Sequence, residues 1–362
     1  MIANKASEAH EMTHLDQDRL LRPVELEAFL RRTLDPEGSL TIEGVPDVGV
    51  SNITVFLKFG GRRLVLRRAP ETSAADSKLH DMGHEVGFLR ALEPAGLPVP
   101  RVAAASGDPS VIGAPFYVMD FMDGFTFNSR TVKELNGAGD VRDACVKAVE
   151  VLAQLHQVDW GSLDLPATPP SNFLAEEFET WKRQLERIPS AQRLKGMDRV
   201  TSWLERNLPE RELKTVTTIV HGNYGLHNLM YLQNPLRVAG IVDWETASLG
   251  DPATDVVWLV QAWGNREGAL PTDANTITLL PGAPSASEMV GLYESATGRP
   301  LQNVHYNLIL SMWKSSIMCE SLYWEATTGA SNRPGSTSKF VEGIPAQVEL
   351  TLDLAESGRM FD

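Results

Sequence analysis

Cysteine is scarce in this sequence. Of 362 residues only Cys145 and Cys319 are cysteines, and they stand far apart. No Cys-x-x-Cys pair and no neighbouring pair of histidines accompanies them, so the sequence indicates neither a disulfide framework nor a zinc site. We expect two reduced, buried thiols.

Long apolar runs and clustered positive charge are also missing. No segment approaches the roughly 20 apolar residues that a helix needs to cross a bilayer, and the polar N-terminus has no apolar signal region. The chain carries 33 Lys and Arg against 47 Asp and Glu, a net charge of −14, whereas a nucleic-acid surface needs clustered Lys and Arg. We therefore predict a cytoplasmic protein with no nucleic-acid or membrane partner; the sequence leaves its oligomeric state open.

What the sequence does contain is a hydrophobic fraction of 43%, which is enough for a sizeable core. At roughly 150 residues per domain, its length predicts one large domain or two lobes. Residues 40–70 read as strands with a turn at Gly60-Gly61, and Pro115 to Phe121 is an apolar run typical of a buried strand. Apolar residues at helical spacing predict helices at residues 22–34, 79–92, 141–157, 173–187, 285–296 and 304–327.

These patterns predict three segments. Residues 1–39 form a leader and a helix, with residues 1–20 loose and polar. Residues 40–122 form a strand-rich, nucleotide-binding N-lobe, and residues 123–362 form a larger helical C-lobe with an exposed loop at residues 265–284. The predicted fold class is α+β, and we expect a nucleotide in the cleft between the lobes.

The stretch from Thr218 to Leu259 carries the chemistry. Two short apolar runs flank a polar loop at residues 221–228, and a third run, Val238 to Val242, leads into Asp243. Magnesium prefers hard oxygen ligands, and the Asn228 amide and the Asp243 carboxylate at the ends of adjacent strands can supply them. Asn228 as a turn residue and Asp243 as a helix cap are the alternative interpretations.

The spacing of Asn223, Asn228 and Asp243 suggests phosphoryl transfer. Besides the metal, this reaction needs a cation over the phosphate groups. Arg67 or Arg68, at the end of a strand, can provide it, with Glu85 on the following helix as its ion-pair partner. We favour Arg67, although a slip of one residue in register would exchange the two. Backbone N–H groups of the segment VGVSNIT, residues 48–54, can cradle phosphate oxygens.

Here the residues resemble a known family. His-Gly-Asp-x-x-x-x-Asn followed by an Asp after the next strand is the pattern of the aminoglycoside phosphotransferase-like (choline kinase-related) family. It stands here as HGNYGLHN at residues 221–228, with Asp243 fifteen residues after Asn228. The segments VLRRAP, HEVGFLRAL, SVIGAPFYVMDFMDG, LAQLHQVDW and DWETASLGDPATD resemble the branch associated with acyl-CoA dehydrogenases.

The resemblance implies a bilobal protein-kinase-like fold with a small antiparallel-sheet N-lobe, and a small-molecule kinase that uses ATP and Mg²⁺. It implies that Asn228 and Asp243 bind the metal, that Arg67 takes the strand-lysine position with Glu85 as partner, and that His221 and Asp255 support the catalytic loop. The implied nucleotide contacts are Gly49, Ser51, Asn52 and Thr54 over the phosphates and Met119, Asp120 and Phe121 at the adenine.

The position of the catalytic aspartate is occupied by Asn223. An amide cannot accept a proton near neutral pH, although it can orient a hydroxyl by hydrogen bonding. Because general-base catalysis contributes about 10²–10⁴-fold in rate, Asn223 predicts low turnover with nucleotide binding kept. Three explanations remain: an engineered Asp→Asn variant, a natural nucleotide-binding pseudokinase, and a slow natural kinase with another base.

The predicted function is ATP- and Mg²⁺-dependent phosphoryl transfer to a hydroxyl of a small molecule, such as a hydroxylated acid, its CoA thioester or another alcohol. A nucleotide-binding pseudokinase without turnover is the alternative. A further alternative, an aminoglycoside-type antibiotic kinase, predicts an acidic cleft that includes Glu176, Glu177, Glu179, Glu320 and Glu325.

Overall fold

The chain divides into two structural units. The computed structural model describes residues 14–45, 52–69, 81–190, 193–210, 216–270, 273–328 and 338–361. The first unit comprises the described parts of Met1–Thr126, Asp159–Pro166 and Asn228–Ala247, and the second those of Phe127–Val158, Ala167–His227 and Ser248–Asp362.

A five-stranded antiparallel sheet forms the centre of the first unit, in the order β1-β2-β3-β5-β4. The hairpin β7–β8 belongs to the same unit. The strands of the chain are β1 (Leu40–Gly44), β2 (Ile53–Phe59), β3 (Arg62–Arg68), β4 (Val102–Ser106), β5 (Phe116–Asp120), β6 (Thr218–Val220), β7 (Leu229–Leu232), β8 (Arg237–Ile241) and β9 (Ser248–Gly250).

Strand β3 is placed by a tight turn and by apolar residues on its inner face. Gly60 and Gly61 both have positive φ, at 55° and 79°, a conformation that glycine adopts without steric cost. The turn sets the antiparallel register in which Thr54 lies opposite Arg67. Leu64 and Leu66 are fully buried in one hydrophobic cluster that includes Leu26, Leu30 and Val118. This packing holds the strand end that carries Arg67.

Helices make up most of the second unit. Its core packs α6, α7, α8, α10 and α11 around buried residues that include Phe178, Trp313 and Val348. The helices of the chain are α1 (His14–Leu21), α2 (Pro23–Thr33), α3 (Met82–Leu92), α4 (Pro109–Ile112), α5 (Ala138–Gln157), α6 (Phe173–Glu186), α7 (Met197–Arg206), α8 (Ala253–Val260), α9 (Ala286–Thr297), α10 (Val304–Thr328) and α11 (Ser338–Ser357).

The predicted helices at residues 22–34, 141–157, 173–187, 285–296 and 304–327 are all present, with ends shifted by a few residues. The predicted α+β fold class is confirmed, with its small antiparallel sheet and larger helical part. The division at residues 39 and 122 stays a prediction.

Two expectations were wrong. Residues 14–20, expected as part of a loose leader, belong to helix α1. Residues 265–284, expected as an exposed loop, include a 3₁₀ helix, Asp273–Leu279, whose Ala274 and Ile277 are buried. Its apolar residues are too few and too irregularly spaced to give a periodic signal, yet the segment packs against a second 3₁₀ helix, Trp263–Asn265. No helix among the described residues has both the length and the apolar character to cross a membrane.

Candidate active site

Asn228 and Asp243 come together at one end of the β7–β8 hairpin in the first unit. The two strands pair with Leu229 opposite Ile241, and the Val242 N–H donates to the Asn228 carbonyl oxygen at 3.0 Å. Asp243 follows with a φ of +72°. A left-handed backbone is uncommon outside glycine, although Asp tolerates it better than most residues. Such an outlier is typical of residues held for function.

Arg67 lies against three carboxylates. Its Nη1 is 3.1 Å from Glu85 Oε1, and its Nη2 is 2.9 Å from Asp243 Oδ1 and 3.4 Å from Glu245 Oε2. Burial disfavours the charged guanidinium, but the three carboxylates outweigh it and hold the Arg67 pKa above its ordinary value. The alternative residue, Arg68, donates instead to the Leu20 carbonyl oxygen. The structure places Arg67 among these carboxylates, and its contact with phosphate stays a prediction.

Glu85 connects helix α3 to the residue after Asp243. Asp81 caps this helix by accepting from the His84 N–H, which fixes Glu85 in its first turn. Glu85 Oε1 accepts from the Trp244 N–H at 3.3 Å, and Trp244 is itself fully buried. Burial, assisted by the nearby Asp243 charge, raises the Glu85 pKa, while Arg67 opposes this shift. The side chain is 1% exposed, so it acts inside the protein and does not reach a ligand from solvent.

The predicted phosphate loop is only partly described. Gly49 and Ser51 lie outside the described residues. Asn52 is buried and donates from Nδ2 to Glu245 Oε2 at 2.8 Å. Thr54 is half-buried, opposite Arg67 in the strand register. The described end of the loop is thus tied to Glu245. The sequence interpretation did not assign this residue to the site, although it lies in the segment DWETASLGDPATD.

The predicted adenine contacts lie at the end of β5. Met119 is buried in the sheet. Asp120 pairs with Arg62 and with Arg101. The Phe121 ring is covered by the Arg63 guanidinium, whose carbon lies 3.9 Å from the ring centroid. These three residues follow one another at the C-terminal end of β5, an internal strand of the sheet, and their contact with adenine stays a prediction.

In the second unit, Asp255 holds the start of the loop at residues 221–228. Its carboxylate accepts from the His221 N–H at 2.7 Å and from the Gly222 N–H at 2.8 Å. Burial alone would raise the Asp255 pKa, but the hydrogen bond and charge of His156 and the backbone N–H of His221 lower it below its usual value. The carboxylate fixes the loop backbone through these two hydrogen bonds, and its role in catalysis stays a prediction.

His156 is a participant that sequence reasoning missed. Its Nε2 lies 3.1 Å from Asp255 Oδ2, and its Nδ1 lies 2.7 Å from the Tyr293 hydroxyl. All three side chains are buried. The segment LAQLHQVDW carried this histidine, but a single histidine on the buried face of a helix gives no signal of its partner 99 residues away.

Asn223 lies on this anchored loop. Its N–H donates to His221 Nδ1 at 3.3 Å, so His221 takes part in loop structure. The next residue, Tyr224, is fully buried and donates its hydroxyl to the Ala148 carbonyl oxygen at 2.7 Å. The backbone on both sides of Asn223 is thus held, and the half-buried Asn223 side chain projects from a fixed position.

The residues of the first unit fit a magnesium–nucleotide complex better than a bare metal ion. No cluster of three or more His, Cys, Asp or Glu among the described residues is arranged to hold a metal. Magnesium commonly takes one or two protein oxygens and completes its shell with phosphate oxygens and water. Three carboxylates lie against one guanidinium and leave an excess of negative charge. This charge suits a cation brought by phosphates.

The structure therefore groups the predicted residues within each unit. In the first unit it brings Arg67, Glu85, Asp243 and Asn52 into contact directly or through Glu245, and it places Asn228 beside Asp243 in the hairpin. In the second unit it brings His221, Asn223 and Asp255 together.

Sequence comparison finds long relatives. The chain is 28% identical over 350 residues to mouse acyl-CoA dehydrogenase family member 10. The matched region covers 93% of this chain and 31% of that protein. The chain thus spans about a third of the length of this curated relative.

Solved structures share the fold. A Ralstonia eutropha protein assigned as an aminoglycoside phosphotransferase superposes with a TM-score of 0.74 at 26% identity, covering 92% of this chain and 98% of that one. Choline kinase from Cryptosporidium parvum superposes with a TM-score of 0.59 at 13% identity, covering 92% and 96%. The predicted protein-kinase-like fold is confirmed by these neighbours.

The family model APH, described as the phosphotransferase enzyme family, matches residues 42–288, about two thirds of the chain and all the predicted site residues. The predicted family resemblance is confirmed, and the chain belongs to the phosphotransferase enzyme family.

Proposed function

We propose that this chain is an ATP- and Mg²⁺-dependent phosphotransferase for a small molecule, and that Asn223 makes its turnover toward a hydroxyl acceptor low. The observation that carries the proposal is the Arg67 cluster. A guanidinium held by Glu85 and in contact with Asp243 is the arrangement that phosphoryl transfer requires near the phosphates.

The nucleotide and the metal are supported by chemistry and by similar proteins. Aminoglycoside phosphotransferases of the same fold have been solved with GDP and with ADP. In our proposal Asn228 and Asp243 hold the metal, which neutralises phosphate charge when bound. Arg67 contacts phosphate oxygens, for which its planar fork is well suited, and the segment from Gly49 to Thr54 covers them.

The acceptor belongs to the second unit in this proposal. Asp255 fixes the backbone of the loop at residues 221–228. The side chain of residue 223 therefore contacts the acceptor from a defined position in this proposal. Resemblance to the acyl-CoA dehydrogenase branch favours a hydroxylated acid, its CoA thioester or another alcohol. An antibiotic with many amino groups is disfavoured, because Glu177 pairs with Lys314 at 2.5 Å and Glu320 accepts from the Leu194 N–H. Both carboxylates are used inside the unit.

A nucleotide-binding pseudokinase is the second candidate, and Asn223 is the observation that favours it. The test compares the present sequence with Asn223→Asp for ATP consumption across a panel of small alcohols. We expect the substituted protein to gain about 10²–10⁴-fold in rate. Binding of ATP without turnover in both proteins would instead establish the pseudokinase.

A further inference from the structure

Glu245 lies in the first unit, in a short turn that is clamped onto helix α3. The Trp244 N–H donates to Glu85 Oε1 at 3.3 Å, and His84 Nε2 lies 2.7 Å from the Ala247 carbonyl oxygen. The Ala247 N–H donates to the Trp244 carbonyl oxygen at 3.1 Å, which closes the turn. The residues on both sides of Glu245 are thus held, so its side chain starts from a defined backbone position.

The Glu245 carboxylate joins two groups that the sequence places far apart. Its Oε2 accepts from Asn52 Nδ2 at 2.8 Å, across 193 positions of the chain, and lies 3.4 Å from Arg67 Nη2. The Glu245 side chain is 10% exposed, and Asn52 and Arg67 are both buried. One carboxylate oxygen therefore connects the described end of the predicted phosphate loop to the guanidinium.

Arg67 is held by carboxylates on both of its terminal nitrogens. Its Nη1 contacts Glu85, and its Nη2 lies 2.9 Å from Asp243 Oδ1 and 3.4 Å from Glu245 Oε2. A terminal guanidinium nitrogen carries two N–H groups, so Nη2 has a donor for each of these two carboxylates. In the proposed function Asp243 binds the metal, and this weakens its contact with Arg67 because two positive charges repel each other at close range. Glu245 is then the carboxylate that keeps Nη2 in place.

We propose that Glu245 is a positioning residue for nucleotide binding, and that it couples Asn52 of the predicted phosphate loop to the Arg67 guanidinium. The inference rests on the proposed function and adds to it a residue that acts through its neighbours. Backbone N–H groups of a loop bind phosphate oxygens only where the loop lies over them, and the Asn52 contact holds the end of this loop beside Arg67. A tethered loop loses less conformational freedom when a ligand binds, so the tether raises affinity.

A double-mutant cycle between Asn52→Ala and Glu245→Ala tests the coupling. Calorimetry measures the affinity for ATP with Mg²⁺ in the present sequence, the two single variants and the double variant. Each single variant is expected to bind ATP at least about tenfold more weakly, the loss that corresponds to one hydrogen bond to a charged group. The double variant is expected to bind within about twofold of Glu245→Ala, because substitutions that remove the same contact are not additive.

Glu27→Ala is the matched control. Glu27 also joins an arginine, Arg31, to a second donor, the Leu40 N–H, within the first unit, and it is expected to leave ATP affinity unchanged. If the losses in Asn52→Ala and Glu245→Ala add in full, the coupling is overturned and the proposed function stands. If the present sequence binds no ATP with Mg²⁺, both are overturned.

Glu245→Gln separates this role from a merely structural one and serves if Glu245→Ala fails to fold. It keeps the shape of the side chain and an oxygen that accepts from Asn52, but it offers no charge to Arg67. Its loss of ATP affinity is expected to be larger with Mg²⁺ than with EDTA, because Asp243 holds Arg67 when no metal competes for it. Adenosine, which has no phosphates, is expected to bind to Glu245→Gln and the present sequence equally. A loss of the same size with EDTA, or one that adenosine shares, would contradict the inference.

Discussion

The carboxylate of Asp255 accepts a hydrogen bond from the backbone N–H of His221 at 2.7 Å, although the two residues are 34 positions apart. The contact joins the first turn of helix α8 to the first residue of the loop that carries Asn223. Since the Gly222 N–H and His156 reach the same carboxylate, one buried charge organises this part of the second unit.

Asp255→Asn is expected to lower the free energy of unfolding by roughly 1.5–3 kcal/mol, the usual contribution of a hydrogen bond to a charged group. An amide offers one acceptor oxygen where two backbone N–H groups converge. Urea unfolding followed by circular dichroism measures the change. Asp198→Asn is the control, since the Asp198 side chain is 86% exposed, and a loss of equal size there would contradict the assignment.

The Asp255 carboxylate also predicts that the free energy of unfolding depends on pH. The folded-state pKa of Asp255 is lowered, so its contribution is complete above the unfolded Asp pKa of about 3.9 and is lost as pH falls through the lower folded value. The stability difference between the present sequence and Asp255→Asn should therefore be constant from neutral pH down to about pH 5 and shrink below about pH 4. A difference that persists undiminished at pH 3 would exclude this linkage.

Arg67→Ala is expected to destabilise the first unit by roughly 3–5 kcal/mol, because removing one partner of a buried ion pair leaves the other charge uncompensated. The remaining partner would be Glu85, whose side chain is 1% exposed. Arg62→Ala is the matched control: its pair with Asp120 is on the surface, with the Arg62 side chain 42% exposed, and exposed pairs contribute about 0–1 kcal/mol. Comparable losses for the two variants in guanidinium unfolding would show that burial of the Arg67 cluster contributes little.

Two buried tyrosines predict opposite outcomes for the same substitution. Tyr224→Phe removes the hydroxyl that donates to the Ala148 carbonyl oxygen and is expected to cost about 1–2 kcal/mol. Tyr306→Phe removes a buried hydroxyl that has no hydrogen-bond partner among the described residues, so it is expected to be neutral or stabilising. Thermal unfolding of both variants tests this; a destabilising Tyr306→Phe would reveal a contact that this hydroxyl makes.

Asp243 gives a ligand-dependent prediction. ATP with Mg²⁺ should raise the melting temperature, because a ligand that binds only the folded state stabilises it. Asp243→Asn is expected to remove most of this shift while ATP with EDTA gives little in either protein. A shift of full size in Asp243→Asn would move the metal away from this residue. Asp353→Asn, at an exposed surface pair with Arg359, controls for general effects of charge.

Local patterns in the sequence predicted much of the fold, because long amphipathic helices and the turn at Gly60-Gly61 reveal themselves over a few neighbouring residues. Helix α7, Met197–Arg206, was missed although its polar and apolar sides are well separated, since the helix is short and adjoins loops. The 3₁₀ helix Asp273–Leu279 is buried only by tertiary packing, which a local pattern does not encode.

The candidate site, too, was predictable from local sequence patterns only in part. Asn228 and Asp243 were predicted because a hairpin of short strands brings neighbouring positions together, and the structure places them so. His156 contacts Asp255, which lies 99 residues further along the chain, and Tyr293 contacts His156 across 137 residues. No local spacing rule connects residues that are so far apart. The choice of Arg67 over Arg68 needed the strand register, which only the folded sheet supplies.

The anchoring of the loop backbone at His221, Gly222 and Tyr224 bears on how substitutions at residue 223 are interpreted. None of those three hydrogen bonds to Asp255 and Ala148 involves the side chain of residue 223. An exchange between Asn and Asp, which have nearly the same shape, therefore changes the side chain and leaves these three backbone anchors in place. A difference in activity between the two proteins would then report on the chemistry of the side chain and not on the course of the loop.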